Sequence, residues 1–451
     1  MKRALGLILT AIAAVLLYKL PLLNSMTEPQ KVTAIIFFIA AILWIFELVP
    51  LYVTSFVIAI LEILWLLPKI EGATAHTFLS PFFSPTILLF LGGFVLAKGL
   101  EVYKIGELIA EKILKRTGGK PGTTLLAFLA VSGFLSMWMS NTAATALMLA
   151  IALPVIEKLA LTDKNYAKAL LIAIAFGANI GGMGTPIGTP PNAIALGYLR
   201  RAGVYIEFTK WVAFALPFAV ILTIIAWLFL HLLFPHKVKK VEVHVSADTT
   251  RRRDPRAKVI GIVSLLTALL WLTESIHKIG AAYIALLPVL TYFSFNILER
   301  KDFNSLSWDV LILMGGGLSL GEAFKVSGLG SYIVSSLGLA HLSFTGQLAL
   351  LVGIAAIITN FMSNTSTAAL IIPLALGLPL DPVHQAILVV SISLSTSAAM
   401  LLPVSTPPNA IVYSSGELKV IDMFKVGFAI LVLQVLILIA FERFIIGLVI
   451  K

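Results

Sequence analysis

The chain has 451 residues, 59% of them hydrophobic and 12% charged, with a formal net charge of +11. A soluble protein of this length could not hide so much apolar surface, so the composition points to an all-α polytopic membrane protein. With no cysteine, no HExxH pattern and no GxxxxGK[ST] loop, it excludes disulfides, thiol chemistry, that type of metal centre and an ATP-driven pump.

The first apolar run, 4–23, follows Met1-Lys2-Arg3 and has no clear small-residue cleavage site after it. It is expected to remain as an N-terminal membrane helix within residues 1–30. Further apolar runs of helical length follow at 31–49, 51–68, 84–100, 167–198, 209–234, 257–274, 280–298, 307–325, 383–414 and 420–449. Together they predict about eleven crossings. None shows the short alternating pattern of a membrane β-barrel. Two stretches remain, 122–160 and 345–380, each long enough for a hairpin and each carrying Ser-Asn-Thr near its middle. They are expected to dip into the membrane and return on the same side, which irregular backbone tolerates only when it packs in protein or lines a cavity.

The longest polar loop, 236–258, carries Lys239, Lys240, Arg251, Arg252, Arg253 and Arg256 and is expected to be a basic cytoplasmic linker. That choice also places Lys2, Arg3, Lys112, Lys115, Arg116, Lys120, Arg300 and Lys301 inside. It predicts a cytoplasmic N-terminus and an outer C-terminus in the plasma membrane. Arg200 and Arg201 fall outside, against the rule. Loop charge of this kind is explained by the lipid bilayer and calls for no nucleic-acid partner.

The linker separates two halves, 31–235 and 259–451, that repeat. Trp44–Glu47 (WIFE) matches Trp271–Glu274 (WLTE), 89–93 (LFLGG) matches 312–316 (ILMGG), Asn141 matches Asn364, and TPPNAI occurs at 189–194 and 406–411. An odd number of expected crossings between Trp44 and Trp271 makes this an inverted-topology repeat, a common build of secondary transporters.

The chemistry collects in two pairs of stretches: 136–142 (SMWMSNT) with 184–192 (GTPIGTPPN), and 359–365 (TNFMSNT) with 401–409 (LLPVSTPPN). Proline in mid-span forces each helix to break, freeing carbonyls on one side and N–H groups on the other. Hydroxyls and the Asn amides can serve an anion or a cation. Ser136 and Thr359 each place a hydroxyl five residues before the triplet Asn, which suggests two related ion sites. The windows 130–150, 176–196, 355–375 and 396–412 contain no charged residue, so a bound anion would need cations such as Na⁺ beside it. They also contain no His, carboxylate or cysteine for acid–base or nucleophilic work, which argues against an enzyme. Glu47 and Glu274 are intramembrane carboxylates whose distance from these stretches favours a structural pair or helix anchors. Gly92, Gly93 and Gly315–Gly317 are expected to permit close helix packing. Met137, Trp138, Met139 and Met362 are expected as core or lining residues.

The paired SNT and TPPN motifs and the W-x-x-E openings resemble the divalent anion/sodium symporter (DASS, INDY-like) family over roughly residues 30–450. The resemblance implies a homodimer whose protomers have a scaffold and a transport domain moving as an elevator. It implies a first sodium site at Ser136, Ser140, Asn141 and Gly188. A second would use Thr359, Met362, Asn364 and Ser405, with Met362 and Ser405 acting through carbonyls. Met362 and Ser405 stand where smaller residues are usual. Substrate carboxylates would meet Ser140, Asn141, Thr142, Thr189, Ser363, Asn364, Thr365, Thr406 and Pro407. The implied activity is sodium-coupled symport of small dicarboxylates such as succinate, malate or fumarate. Sodium-independent exchange, or carriage of sulfate or citrate, is the alternative within the same fold. A membrane receptor that binds an anion without moving it is the rival from another class.

Overall fold

The computed structural model describes residues 2–241 and 254–449. Residues 242–253 of the expected linker, including Arg251, Arg252 and Arg253, lie outside the described residues. All regular structure among the described residues is helical. Among the described residues, eight helices are long and apolar enough to cross a membrane; shorter apolar helices include Pro121–Ser136, Phe344–Ile358 and Asn364–Leu376.

The first part of the chain forms α1 (Lys2–Tyr18), α2 (Glu28–Ile45) and α3 (Leu51–Leu61). α2 starts at a Thr27–Gln30 capping box with Pro in its first turn, the geometry that satisfies orphan N–H groups at a helix start. α3 runs into a π turn over Glu62–Leu66, where Glu62 is fully buried against Ser319 Oγ. α4 (Pro85–Val102) and α5 (Ile105–Lys115) follow. The chain then forms α6 (Pro121–Ser136), a short turn, α7 (Asn141–Thr162), α8 (Lys164–Gly182), a loop, α9 (Pro190–Arg201) and α10 (Phe208–Leu233).

The second part brings α11 (Pro255–Leu272), α12 (Leu286–Ser294) and α13 (Trp308–Ser327). The run expected as one span over 280–298 is interrupted: a short helix, Ala281–Ile284, precedes α12, which carries Pro288 in its first turn. The sequence of breaks then recurs as α14 (Phe344–Ile358), a turn, α15 (Asn364–Leu376), α16 (Pro382–Ser397), a loop, α17 (Pro407–Tyr413) and α18 (Val420–Val449).

Packing exchanges the two parts. α6 and α7 seat on α8, and α14 and α15 seat on α16. After each break the chain crosses over: α17 packs on α7 and α8, while α9 packs on α15 and α16. The close seating of α6 on α8 depends on missing side chains, since a Cβ added at Gly181 would stand 2.0 Å from Gly133 O. Gly92 and Gly316 are equally tight, against Ala285 O and Ser55. The W-x-x-E tryptophans play the same part twice: buried Trp44 Nε1 donates to Leu51 O (3.1 Å) and buried Trp271 Nε1 to Ala281 O (2.9 Å), fixing each helix to the next.

The arginines that sit badly with the positive-inside rule are compensated internally. Arg201 pairs with Glu322 at 2.9 Å, and the Arg200 guanidinium lies 5.2 Å from the Tyr205 ring centroid.

At the α7–α8 junction, Asp163 Oδ1 accepts from Tyr166 N (3.2 Å), and Oδ2 from Lys237 N (2.6 Å) and Val238 N (3.1 Å). Asp163 thereby clasps the start of the linker to the bundle. Burial alone would raise its pKa, but the three backbone N–H groups and nearby His236 outweigh it and hold the carboxyl below the usual carboxylate range. A depressed pKa places the stabilisation above the unfolded value of about 4 and removes it as pH falls through the folded value. Limited proteolysis at the start of the linker, between Lys237 and Val241, should therefore be slow from neutral pH down to about pH 4 and quicken only below it. Asp163→Ala should make the linker quickly cleaved already at pH 7.

Candidate functional site

Two kinds of break meet in the middle of the molecule. Each helix that restarts after a break does so at a Ser or Thr N-cap: Ser140 for α7, Thr189 for α9, Ser363 for α15 and Thr406 for α17. These residues have an oxygen for an orphan N–H of the new helix. Ser140 accepts from Ala143 N (3.2 Å) and Thr406 from Asn409 N (3.3 Å), whereas Thr189 and Ser363 make no side-chain cap bond. Paired prolines at the first positions of α9 and α17 cost no helical hydrogen bond there.

The carbonyls freed before each break are held by the asparagine of TPPN. Asn192 Nδ2 donates to Gly182 O (3.1 Å), Met183 O (3.4 Å) and Thr185 O (2.8 Å). Asn409 Nδ2 donates to Ala399 O (3.3 Å) and Leu402 O (3.0 Å), the carbonyls in register with Gly182 and Thr185. Each amide oxygen takes a donor from the other part of the chain: Asn192 Oδ1 from Ser393 Oγ on α16 (3.1 Å), and Asn409 Oδ1 from Asn179 Nδ2 on α8 (3.0 Å). Both asparagines are fully buried.

The triplet asparagines are held in a matching way. Ser136 Oγ donates to Asn141 Oδ1 (2.5 Å), and Thr359 Oγ1 donates to Asn364 Oδ1 (2.8 Å). Thr359 Oγ1 also lies 2.7 Å from Thr396 O, a second acceptor for its hydrogen. The two turns are tied to the two loops by hydroxyls: Thr185 Oγ1 donates to Met137 O (2.6 Å) and Ser405 Oγ to Asn360 O (3.0 Å). Close backbone approach completes the first loop, because a Cβ added at Gly188 would stand 2.3 Å from Gly182 O.

These elements line one partly open cavity of about 1050 Å³. Its lining includes Ser140, Asn141, Thr142, Gly188, Thr189, Met362, Ser363, Asn364, Thr365, Ser405, Thr406 and Pro407. Ser136 and Thr359, expected as ion ligands, are fully buried behind the triplets and reach the cavity through their asparagines. Met139 and Met362 are buried lining residues beside them.

Among the described residues, the charged ones that line it are Glu47 and Asp309; no described Lys, Arg or His joins them. Glu47 therefore departs from the expected anchor role, because the left-handed backbone after α2 (φ 46) carries it to the cavity wall. Glu274 keeps the anchor role: its carboxylate accepts from Tyr205 Oη, Phe208 N (3.0 Å) and Ala281 N (3.1 Å). Sequence reasoning missed Asn179 on α8, Ser393 in the Ser-rich end of α16 and Asn360 in the turn after α14, whose partners lie in the other part of the chain or in a broken loop. Their type inside an apolar run was the available signal.

A bundle of interrupted apolar helices around a polar cavity has the build of a transporter, and comparison with known proteins agrees. Over 408 residues the chain is 35% identical to an uncharacterized transporter of Methanocaldococcus jannaschii, covering 89% of this chain and 90% of that one. It is 30% identical over 438 residues to the sodium-dependent dicarboxylate transporter SdcS of Staphylococcus saprophyticus, covering 89% and 83%. The fold is shared with the YdaH transporter of Alcanivorax borkumensis at a TM-score of 0.59 and 14% identity, covering 84% and 89% of the two chains. The protein is a multi-pass membrane transporter and not an enzyme. More particularly, the chain belongs to the citrate transporter family CitMHS, whose model matches residues 41–392, and is of the divalent anion/sodium symporter type that its motifs resemble.

The TPPN asparagines make a local prediction. Asn192→Leu leaves Gly182 O without its donor, at about 1–3 kcal/mol for an unpaired buried group, while Met183 O keeps only Trp211 Nε1 and Thr185 O only Gly188 N. Thermal melting of the purified variant should show a loss of several degrees. An unchanged melting temperature would mean that water serves these carbonyls.

Proposed function

We propose that the chain is a sodium-coupled symporter of small dicarboxylates, of the succinate, malate and fumarate class, in the plasma membrane. The observation that carries this reading is a single cavity lined by both SNT triplets and both TPPN turns and, among the described residues, by no basic side chain. A dianion there meets hydroxyls, amides and helix N-termini. Each N-terminus of a full-length helix is equivalent to about half a positive charge. Glu47 and Asp309 in the same lining oppose it. Bound cations supply the balance, so anion binding follows cation binding.

Neutral oxygens would hold the sodium ions: Ser136, Ser140, Asn141 and Gly188 on one side, and Thr359, Met362, Asn364 and Ser405 on the other. For Ser136 and Asn141 to ligate together, the Ser136 hydrogen must turn away from Asn141 Oδ1. Thr359 can turn its hydrogen wholly to Thr396 O and keep a hydrogen bond. With Oδ1 on a cation, each asparagine offers Nδ2 to a substrate carboxylate beside Thr142, Thr189, Ser363, Thr365, Thr406 and Pro407.

Alternating access fits the same architecture. α6–α9 and α14–α17 form the body that carries the site, with α6–α7 and α14–α15 as re-entrant hairpins. The other helices form the scaffold in a homodimer of eleven-crossing protomers, with the N-terminus cytoplasmic and the C-terminus outside. The two halves, 31–235 and 259–451, enter the membrane in opposite senses. The name of the SdcS relative supports both sodium and dicarboxylate. Citrate is the second reading, favoured by the name of the matching family and by a cavity of about 1050 Å³ with room for a larger acid.

The test is uptake of radiolabelled succinate into proteoliposomes, with and without an inward sodium gradient, and with succinate or nothing inside. Symport predicts uptake into empty vesicles that requires sodium. Uptake that needs internal succinate and ignores sodium would replace symport by exchange. Asn141→Ala should weaken sodium and succinate dependence together, by about tenfold or more each, because one amide serves both ligands. Normal transport by that variant would show the site to be misplaced.

A further inference from the structure

We propose that Asn179 sets the substrate preference of this cavity: its Oδ1 accepts a hydrogen bond from a hydroxyl on the substrate, favouring hydroxy-substituted carboxylic acids over their deoxy counterparts. The inference rests on the carboxylate-transport reading above and names its substrate class.

Hydrogen-bond geometry fixes the orientation of the Asn179 amide. Asn409 commits its Nδ2 to Ala399 O and Leu402 O, so its Oδ1 is an acceptor. Asn179 must then turn Nδ2 toward it, at 3.0 Å, and the same Nδ2 reaches Thr406 Oγ1 at 3.1 Å. Asn179 Oδ1 is left facing elsewhere. It is buried, has no hydrogen-bond partner, and belongs to a residue that borders the cavity. A buried acceptor with no donor is costly, and a ligand that brings the donor removes that cost.

Thr406 makes the complementary half. Its Oγ1 accepts from Asn179 Nδ2 and from Asn409 N (3.3 Å), which occupies both lone pairs. Its hydrogen is therefore free to donate into the cavity. Thr406 thus presents a committed donor at the wall, with the committed acceptor of Asn179 buried directly behind it, where a ligand must press in to reach it. A bare carboxylate satisfies only the donor. A carboxylate with a hydroxyl on the neighbouring carbon satisfies both.

A metal ion fits less well, because Thr406 Oγ1 has no free lone pair to share in its coordination. The other half of the chain places no matching acceptor among the residues that line the cavity, where Asn179 stands but Thr396 does not. In the TPPN register Asn179 corresponds to Thr396, whose hydroxyl donates to Ser393 O at 2.8 Å. The hydroxyl-bearing end of the substrate would therefore always lie against α8 and α17.

The experiment uses the purified full-length chain and two matched pairs: malate (each enantiomer) against succinate, and citrate against tricarballylate. Inhibition of labelled succinate uptake in proteoliposomes reads transport, and thermal stabilisation in detergent reads binding. The wild-type protein should favour the hydroxylated member of at least one pair by about three- to tenfold. Asn179→Ala should weaken both members, because Thr406 loses a donor, and should bring their ratio to within about twofold of unity. Thr406→Ser, which keeps the hydroxyl, should retain the preference. The proposal is overturned by a wild-type protein without preference, or by a preference that survives in Asn179→Ala, which would leave water as the partner of Oδ1. If none of the acids binds or moves, carboxylate transport itself fails and takes this inference with it.

Discussion

Everything at the centre of this molecule depends on keeping broken backbone satisfied inside an apolar body. A helix interrupted within a membrane frees carbonyls and N–H groups that have no water to fall back on. Here the solution is the buried asparagine of TPPN. It gathers carbonyls from its own break and accepts a donor from the opposite part of the chain. On the far side of a break, Ser140 and Thr406 perform the complementary task as N-caps. Once the breaks are stable, their hydroxyls, amides and helix ends are available to a ligand.

The two parts are similar without being identical. Gly188 lets the first loop close on Gly182, whereas Ser405 in the second loop reaches both Asn360 O and Asn360 Oδ1. Asn360 also accepts from Leu401 N, so it binds the second loop to the turn between α14 and α15. Met137 stands at the matching place in the first part and contributes only its carbonyl, to Thr185. The two turns are thus anchored by different chemistry, and the second is held by more bonds.

Much of this was legible in the sequence because proline, glycine and repetition are strong local signals. TPPN cannot continue a helix, and its recurrence in register with SNT identified the two breaks and the residues that line the cavity. The interruption near Ala285 within 280–298 left a weaker trace, since Pro288 in the first turn of a new helix looks like any proline in an apolar run. The interlock was not legible. Asn179 corresponds to Thr396 and Ser393 to Phe176 in the TPPN register, so neither carries the mark of duplication. Their roles come from contacts more than two hundred residues apart. Glu47 shows the same limit: sequence distance from the polar stretches said nothing of a left-handed turn that brings the residue to the cavity wall.

The crossed packing of α9 on α16 and of α17 on α8 has a consequence for synthesis. Ser393 is 201 residues downstream of Asn192, its partner. At about 5–20 residues per second the ribosome needs some 10–40 s to deliver it. Throughout that interval the first half is already apolar enough to leave the translocation channel, yet its central amides lack their final partners. Insertion must therefore hold an unfinished, hydrated intermediate until the second half arrives. The final pairing of the central amides waits on synthesis of the second half.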